Sequence, residues 1–381
     1  MGNIFPKKMI IREIFKNIQE KMGKGKAIII LGARQIGKTT LVKSLLPINP
    51  IDGLFLDADN VEVQEILANA NLERLKNIIG KATVVIIDEA QRIPNIGLSL
   101  KLVTDNLPHV QLLVTGSSSL ELANLTNEPL TGRKWEYQMF PISWQELQNH
   151  FGYMNAHLQL ENRLIFGMYP EIITHLGEER ERLSALSQSY LYKDILSLGR
   201  IRKPEFLQKL LKALAFQVGN EVSLNELAQL TGIDKATVGT YLDLLEKSFV
   251  IFRLQALSRN LRNEISATRK IYFHDNGIRN ALINNFAPLS LRQDVGALWE
   301  NFLISERLKA NHYQKKSVNC YFWRTKSQQE IDYIEEIDGQ FTAFEFKWKL
   351  HKKVKIPTSF SEAYHPQDFK IITKDDFDGF L

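Results

Sequence analysis

The chain has 381 residues, 44% hydrophobic and 24% charged, with a formal net charge of +5. That composition excludes a disordered or low-complexity chain and leaves room for two or three domains with sizeable cores. The single cysteine, Cys320, excludes an internal disulfide framework and a Cys-rich zinc site, and no apolar run approaches a membrane span, so a soluble cytoplasmic protein is expected. The start, Met1 to Pro6, has no signal-peptide core, and Pro6 breaks the myristoylation pattern.

In chain order, the first strong element is Ala27–Leu31, an apolar, β-prone run. It leads into Gly32-Ala33-Arg34-Gln35-Ile36-Gly37-Lys38-Thr39, which fits the phosphate-binding pattern G-x-x-x-x-G-K-[ST]. Thr40 to Leu46 is helix-compatible and stops near Pro47. Strand, glycine loop and helix together form the context in which backbone N–H groups cradle a phosphate. Lys38 is then placed for the β/γ-phosphates of ATP and the Thr39 hydroxyl for Mg²⁺.

Gly53–Asp57 reads as a strand and Val61 to Ile79 as one helix. Thr83 to Asp88 is a β-branched run ending in Asp88-Glu89, the pattern of a Walker B strand. There Asp88 would hold Mg²⁺ and Glu89 would polarise the attacking water. A helix is expected over Asn95 to Leu107, then a strand from Val110 to Gly116. The strand runs into Ser117-Ser118-Ser119, where Ser117 is the candidate for the γ-phosphate or the water. The same serines also suit a cap for a helix at Leu120–Ala123. A strand at Trp135–Met139 and a helix capped by Ser143 follow. Alternating β and α elements predict a parallel sheet with helices on both faces, so the fold class is α/β.

Residues 155 to 215 read as mostly helical, broken at Gly167-Met168-Tyr169-Pro170, with Tyr190, Leu191 and Ile195 on one of the helices. From about 205 the pattern becomes helix, Ser223-capped helix, Gly232 turn, helix to Lys247, then a strand from Phe249, which is the winged-helix plan. The outward residues Lys235, Thr237, Thr240, Asp243 and Glu246 are poor base readers, so DNA reading and a packing or protein-contact role stand level. Residues 251–280 hold six Arg/Lys (Arg253, Arg259, Arg262, Arg269, Lys270 and Arg279), and residues 343–355 hold five Lys. These stretches suit a polyanion such as DNA, or equally a solvated surface.

The last hundred residues read as a further α/β unit. Ala297 to Ala310 is a helix bearing Glu300, and Cys320–Arg324 is a strand. Asp338-Gly339 is a hairpin turn between Glu330–Ile334 and Phe341–Trp348, and Lys370–Thr373 is a short strand. Alternation puts Glu345 and Lys347 on one strand face and Phe344, Phe346 and Trp348 on the other. Glu300, Asp332, Glu345 and Lys347 suit Mg²⁺-dependent phosphodiester hydrolysis, with Asp332 and Glu345 on the metal. Spacing alone favours a solvated charged sheet face.

Nearly the whole chain resembles a large prokaryotic family of AAA+-like P-loop ATPases. The matching segments are G-A-R-Q-I-G-K-T-T, Ile86 to Pro94, Val114 to Ser119, Thr131-Gly132-Arg133 before F-P-I-S, G-M-Y-P, Tyr190 to Ile195, Ile271 to Arg279, Leu298 to Phe302 and F-E-F-K. The resemblance implies a P-loop ATPase domain over 1–150 and a helical segment with a winged helix-turn-helix over 151–285. It also implies a restriction-endonuclease-like PD-(D/E)xK domain over 286–381. It makes Glu300, Asp332 and Glu345 metal positions and Lys347 a catalytic one. Arg133 becomes an arginine finger, in cis or from a neighbouring copy in a homo-oligomer. Nuclease-like folds also serve as binding modules, so the resemblance leaves two readings open. One is an ATPase coupled to DNA binding or cleavage, the other a nucleotide switch that binds DNA or a protein partner without cleaving. Gly167-Met168-Tyr169-Pro170 departs from the family's more usual Gly-Gly-Tyr-Pro.

Overall fold

The computed structural model describes residues 9–117, 130–197, 204–258, 269–350 and 354–381. The expected helix at Leu120–Ala123, the basic residues Arg259, Arg262, Lys352 and Lys353, and the side chains of Tyr190, Leu191 and Ile195 lie outside what it describes. The chain forms two compact units, one running to Ile142 and including Lys247–Phe249, the other holding Ser143–Glu246 and Val250–Leu381.

The first unit is built on a five-stranded sheet of β1 (Ala27–Leu31), β2 (Gly53–Asp57), β3 (Val84–Asp88), β4 (Gln111–Gly116) and β5 (Lys134–Gln138). Their order is β2-β3-β4-β1-β5 and every pairing is parallel. β1, β3 and β4 are buried at every residue, as continuous Ile/Val/Leu runs require when both sheet faces are covered. On one face Ile29, Leu31, Val85, Ile87, Leu112 and Val114 pack in a single cluster with Leu67, Leu75, Ile79, Ile96, Leu100 and Val103. Register pairs Leu31 with Gly116 and Ile87 with Val114, so the carboxyl ends of β1, β3 and β4 share one sheet edge.

The single helix expected over Val61 to Ile79 is two helices, Val61–Leu67 and Leu72–Ile79. Asn69 takes a left-handed backbone (φ 53°) and the Asn71 side chain accepts from Arg74 N, so a new N-cap interrupts the periodic pattern. The strands and the helix Ile96–Asn106 fall within a residue or two of expectation, the helix after the glycine loop ends at Lys43 rather than Leu46, and the helix Ile14–Gln19 was not expected.

The second unit contains a seven-stranded mixed sheet. Its strands are β6 (Glu221–Val222), β7 (Ile251–Ala256), β8 (Arg269–Phe273), β9 (Asn319–Arg324), β10 (Glu330–Ile337), β11 (Gln340–Phe346) and β12 (Asp368–Ile372). The order is β12-β11-β10-β9-β7-β8-β6, with β7 parallel to β9 (Gln255 opposite Tyr321). The strands before and after residue 285 therefore belong to one sheet. β6 precedes the helices Leu224–Thr231 and Lys235–Lys247, β7 and β8 follow them, and the three strands pair in an antiparallel ribbon. The hairpin turn lies at Asp338 (φ 51°) and Gly339 (φ 78°), between the paired residues Ile337 and Gln340.

Ser143 forms a full capping box with Glu146 on the helix Trp144–Phe151. At the Gly-Met-Tyr-Pro break, Gly167 has φ 75°, and a Cβ there would strike the Asp275 carboxylate. Met168 is buried and has no left-handed backbone, so a residue other than Gly there costs nothing in backbone strain. Asp275 accepts from Met168 N (2.6 Å) and caps the helix Asn276–Leu282 through Ile278 N (3.0 Å). Burial pushes its carboxyl pKa up, against the pull of these backbone N–H groups and of Lys309. Asp275→Ala leaves those amides without partners, so stability should fall by about 2–4 kcal/mol. A urea titration checks this; an unchanged midpoint would mean that water replaces the carboxylate.

Candidate functional site

The glycine loop leaves β1 at the shared carboxyl edge. Gly37 has φ 96°, and a Cβ on Gly32 would collide with the Met139 carbonyl oxygen, so both positions need glycine for geometric reasons. Lys38 opens the helix Lys38–Lys43, and its ammonium donates to Gly32 O (2.9 Å) and Ala33 O (2.8 Å). Its Nζ is also 3.8 Å from Glu89 Oε1. The Thr39 hydroxyl donates to Asp88 Oδ2 at 2.7 Å. Thr115 donates to the other Asp88 oxygen and accepts from Glu89 N at 3.0 Å. A hydroxyl beside a carboxylate is a hard oxygen donor set, and it fits Mg²⁺.

Glu89 has a left-handed backbone (φ 53°, ψ 41°), an uncommon conformation for a non-glycine residue. Gln91 Nε2 donates to Glu89 Oε2 (2.6 Å) and to Ser117 Oγ (3.0 Å). Burial pushes the Glu89 carboxyl up, but Lys38, Gln91, Arg34 and Ser117 outweigh it and hold its pKa below the usual value, so it stays ionised. The structure thus gathers Lys38, Thr39, Asp88, Glu89 and Ser117, with Arg34 acting on Glu89. Gln35, Ile36 and Thr40 lie along the same loop and helix start, Gln35 with φ 60° and Ile36 fully buried.

Sequence reasoning missed three residues here. Thr115 and Gln91 stand inside motifs that were read for other residues. Arg12 carries no local signal: it is buried, and its guanidinium donates to Ile36 O (2.6 Å) and Phe140 O (2.5 Å), tying the loop to the segment after β5.

Arg133 stands elsewhere. It precedes β5, and its carbonyl accepts from Ala27 N at the start of β1, the sheet edge opposite the loop. Its Nε donates to Asp105 Oδ1 at 2.5 Å. About 15 Å of strand separates its backbone from the loop.

A second cluster lies within the second unit. Glu300, on the helix Val295–Tyr313, accepts from Tyr272 Oη (2.6 Å) and Lys270 Nζ (3.1 Å). Lys270 also pairs with Glu330 at 2.6 Å. Lys347 Nζ lies 2.6 Å from Glu345 Oε1 and 3.9 Å from Asp332 Oδ2, while Asp332 accepts from Phe346 N (2.8 Å). Phe344 and Phe346 are buried behind, against Tyr333 and Phe380. Burial, with repulsion from Asp332 and against Lys270, pushes the Glu300 carboxyl up to about 7. Asp332 and Glu345 are also raised, in both by burial first. Burial would lower the Lys270 pKa, but Glu300, Glu330 and Asp332 hold it above its ordinary value, so this lysine is charged.

The four sequence candidates do share one neighbourhood. Lys270 stands among the carboxylates, and among the described residues no three His, Cys, Asp or Glu side chains group to hold an ion. The signal for Lys270 was its two-residue spacing from Tyr272 on a strand that proves internal. Three of the described basic residues over 251–280 are paired with carboxylates. Arg253 pairs with Asp243 and Glu246, Lys270 with Glu300 and Glu330, and Arg279 with Asp294.

Residues 24–148 match the family model described as an AAA domain. Residues 157–289 and 295–377 match two domains of unknown function, DUF8612 and DUF4143. An uncharacterized protein of Mycobacterium tuberculosis is 26% identical over 340 residues, spanning 88% of this chain and 73% of its own. An uncharacterized protein of Methanocaldococcus jannaschii is 23% identical over 347 residues, covering 78% and 72%. Among solved structures, the Walker-type ATPase of Pyrococcus abyssi aligns with TM-score 0.50 and 18% identity, over 74% of this chain and 99% of that one. The N-terminal part is thus a P-loop, AAA-type ATPase fold. Among the described residues no helix is long and apolar enough to cross a membrane.

Arg12→Met should remove the guanidinium's bonds to the Ile36 and Phe140 carbonyls and loosen the loop. Titration with a fluorescent ATP analogue should show weaker binding together with a lower melting temperature. Unchanged affinity would mean that the loop holds its shape without the guanidinium.

Proposed function

We propose that the protein binds and hydrolyses ATP at the glycine loop and couples this to nucleic-acid binding by the second unit. The observation that carries the first half is the hydrogen-bonded chain Thr39–Asp88–Thr115–Glu89 beside Lys38. The loop amides from Gly32 to Thr40 and the Lys38 ammonium hold the phosphates. Thr39 and Asp88 hold Mg²⁺, which neutralises developing phosphate charge. Glu89, kept ionised, orients and polarises the attacking water, with Ser117 beside it. Arg133, far from its own loop, acts as an arginine finger toward a neighbouring copy, which makes the working form a homo-oligomer.

Two functional segments share the second unit, residues 151–285 and 286–381. The helix pair Leu224–Thr231 and Lys235–Lys247 with its three-stranded ribbon supports a winged-helix reading of the first. Gathering of Glu300, Asp332, Glu345 and Lys347 supports a nuclease-like reading of the second. The Lys270 ammonium among these carboxylates favours a role without cleavage, so the regulatory reading is the stronger for that segment. DNA is the proposed ligand, with a protein partner as the competing one.

Lys38→Ala should abolish ATP turnover, whereas Glu89→Gln should keep ATP bound and stall hydrolysis. A phosphate-release assay with a filter-binding assay separates the two, and wild-type turnover in both would end the ATPase assignment.

DNA affinity should fall steeply with salt. The triple change Arg259→Glu, Arg262→Glu, Arg269→Glu should weaken it while leaving DNA-free turnover intact. Fluorescence anisotropy at two salt concentrations reads this; no binding at low salt points to a protein partner instead.

A further inference from the structure

We propose that Lys270 is the resident counter-cation of the carboxylate cluster in the second unit, standing where a divalent metal ion would otherwise bind and keeping the cluster metal-free. This deepens the non-cleaving reading of residues 286–381 and rests on it.

The argument starts from position. Lys270 lies on β8, an internal strand hydrogen-bonded to β7 on one side and β6 on the other. The residue is 1% exposed. Its ammonium touches Glu300 at 3.1 Å and Glu330 at 2.6 Å and lies 5.5 Å from the centroid of the Phe322 ring. Tyr272, two residues along the same strand face, donates to the same Glu300 oxygen at 2.6 Å. Gly219 closes over Glu300 from the turn before β6, where a Cβ would stand 3.4 Å from the carboxylate. Asp332 on β10, Glu345 on β11 and Lys347 just past β11 complete the cluster.

Lys347 is a different kind of cation. It follows the last residue of β11, and its side chain is 39% exposed, so it can turn into solvent. Lys270 can leave its carboxylates only if β8 itself moves. Ligand oxygens around Mg²⁺ stand at about 2.0–2.1 Å, and a fixed ammonium on the Glu300 and Glu330 carboxylates repels a dication approaching the neighbouring Asp332. The lysine also joins a strand of the 151–285 segment to a helix and a strand of the 286–381 segment. The bond that neutralises the cluster therefore also fastens these two stretches of the second unit.

The test is Mn²⁺ binding to the full chain without nucleotide, followed by electron paramagnetic resonance after chelator treatment. Wild type and Asp332→Asn should bind Mn²⁺ identically, because no ion sits at the cluster. Lys270→Met should gain a Mn²⁺ site that disappears again in Lys270→Met with Asp332→Asn. A wild-type Mn²⁺ site lost in Asp332→Asn overturns the proposal, and this comparison stands even if Lys270→Met fails to fold. A folded Lys270→Met that gains no ion overturns it too. Lys270→Arg, which keeps the charge, should gain no site. Metal-dependent DNA cleavage lost in Asp332→Asn would sink the non-cleaving reading as well. Absence of DNA binding would sink only the nucleic-acid reading and leave the Mn²⁺ result intact.

Discussion

One carboxylate organises the first unit. Asp88 ends β3 at the shared edge and accepts from Thr39 on one oxygen and Thr115 on the other. Those hydroxyls belong to the helix after β1 and to β4. A single buried side chain thus fastens the glycine loop, the central strand and its neighbour where ligand would bind. Each charge-assisted bond contributes about 1.5–3 kcal/mol, far more than a surface ion pair. Thr115 does more than fasten, since its oxygen also accepts the Glu89 amide. That bond holds Glu89 in its left-handed backbone and aims its carboxylate at Lys38.

The second unit is held by buried charge of another kind. Lys270 with Glu300 and Glu330, Lys309 with Glu306, and Arg279 and Arg292 with Asp294 are all ion pairs largely removed from water. Such pairs add little net stability, because desolvation offsets the attraction. Their effect is on specificity: breaking one leaves an uncompensated charge, so alternative packings of the same strands are disfavoured. Asn301 plays the neutral version of this role. It donates to Phe273 O and accepts from Phe273 N, clamping the helix Val295–Tyr313 to β8.

What the sequence disclosed follows from range. The glycine loop, the β3 carboxylates, the capping box at Ser143 and the turn at Asp338-Gly339 are local patterns in which the residues that interact are close in the chain. The parallel sheet followed from apolar runs separated by helices. The interrupted helix at Asn69 was not disclosed, because its apolar spacing continues across the break while the cap does not depend on that spacing. Arg12 and Lys270 were invisible as partners. Arg12 reaches Phe140 across 128 residues and Lys270 reaches Glu300 across 30, and such contacts exist only once the topology is fixed. Charge counting over 251–280 could not separate a polyanion site from a solvated surface for the same reason. A run of Arg and Lys looks like a surface until the fold supplies Asp243, Glu246, Glu300, Glu330 and Asp294 opposite it.

The same reasoning bears on how the ATP site would work. Lys38 is occupied by two loop carbonyls and stands near Glu89. Glu89 in turn is shared with Gln91, which also holds Ser117. In the proposed reaction a bound triphosphate offers Lys38 a denser negative charge than one carboxylate and two carbonyls can. The lysine then turns to the phosphates and Glu89 loses its cation. Gln91, Ser117 and Arg34 still act on the carboxylate, which becomes a stronger base as Lys38 leaves. A ligand shifts an equilibrium only through contacts that differ between two states. Here the differing contact is the Lys38 ammonium, so phosphate binding and activation of Glu89 become one event rather than two.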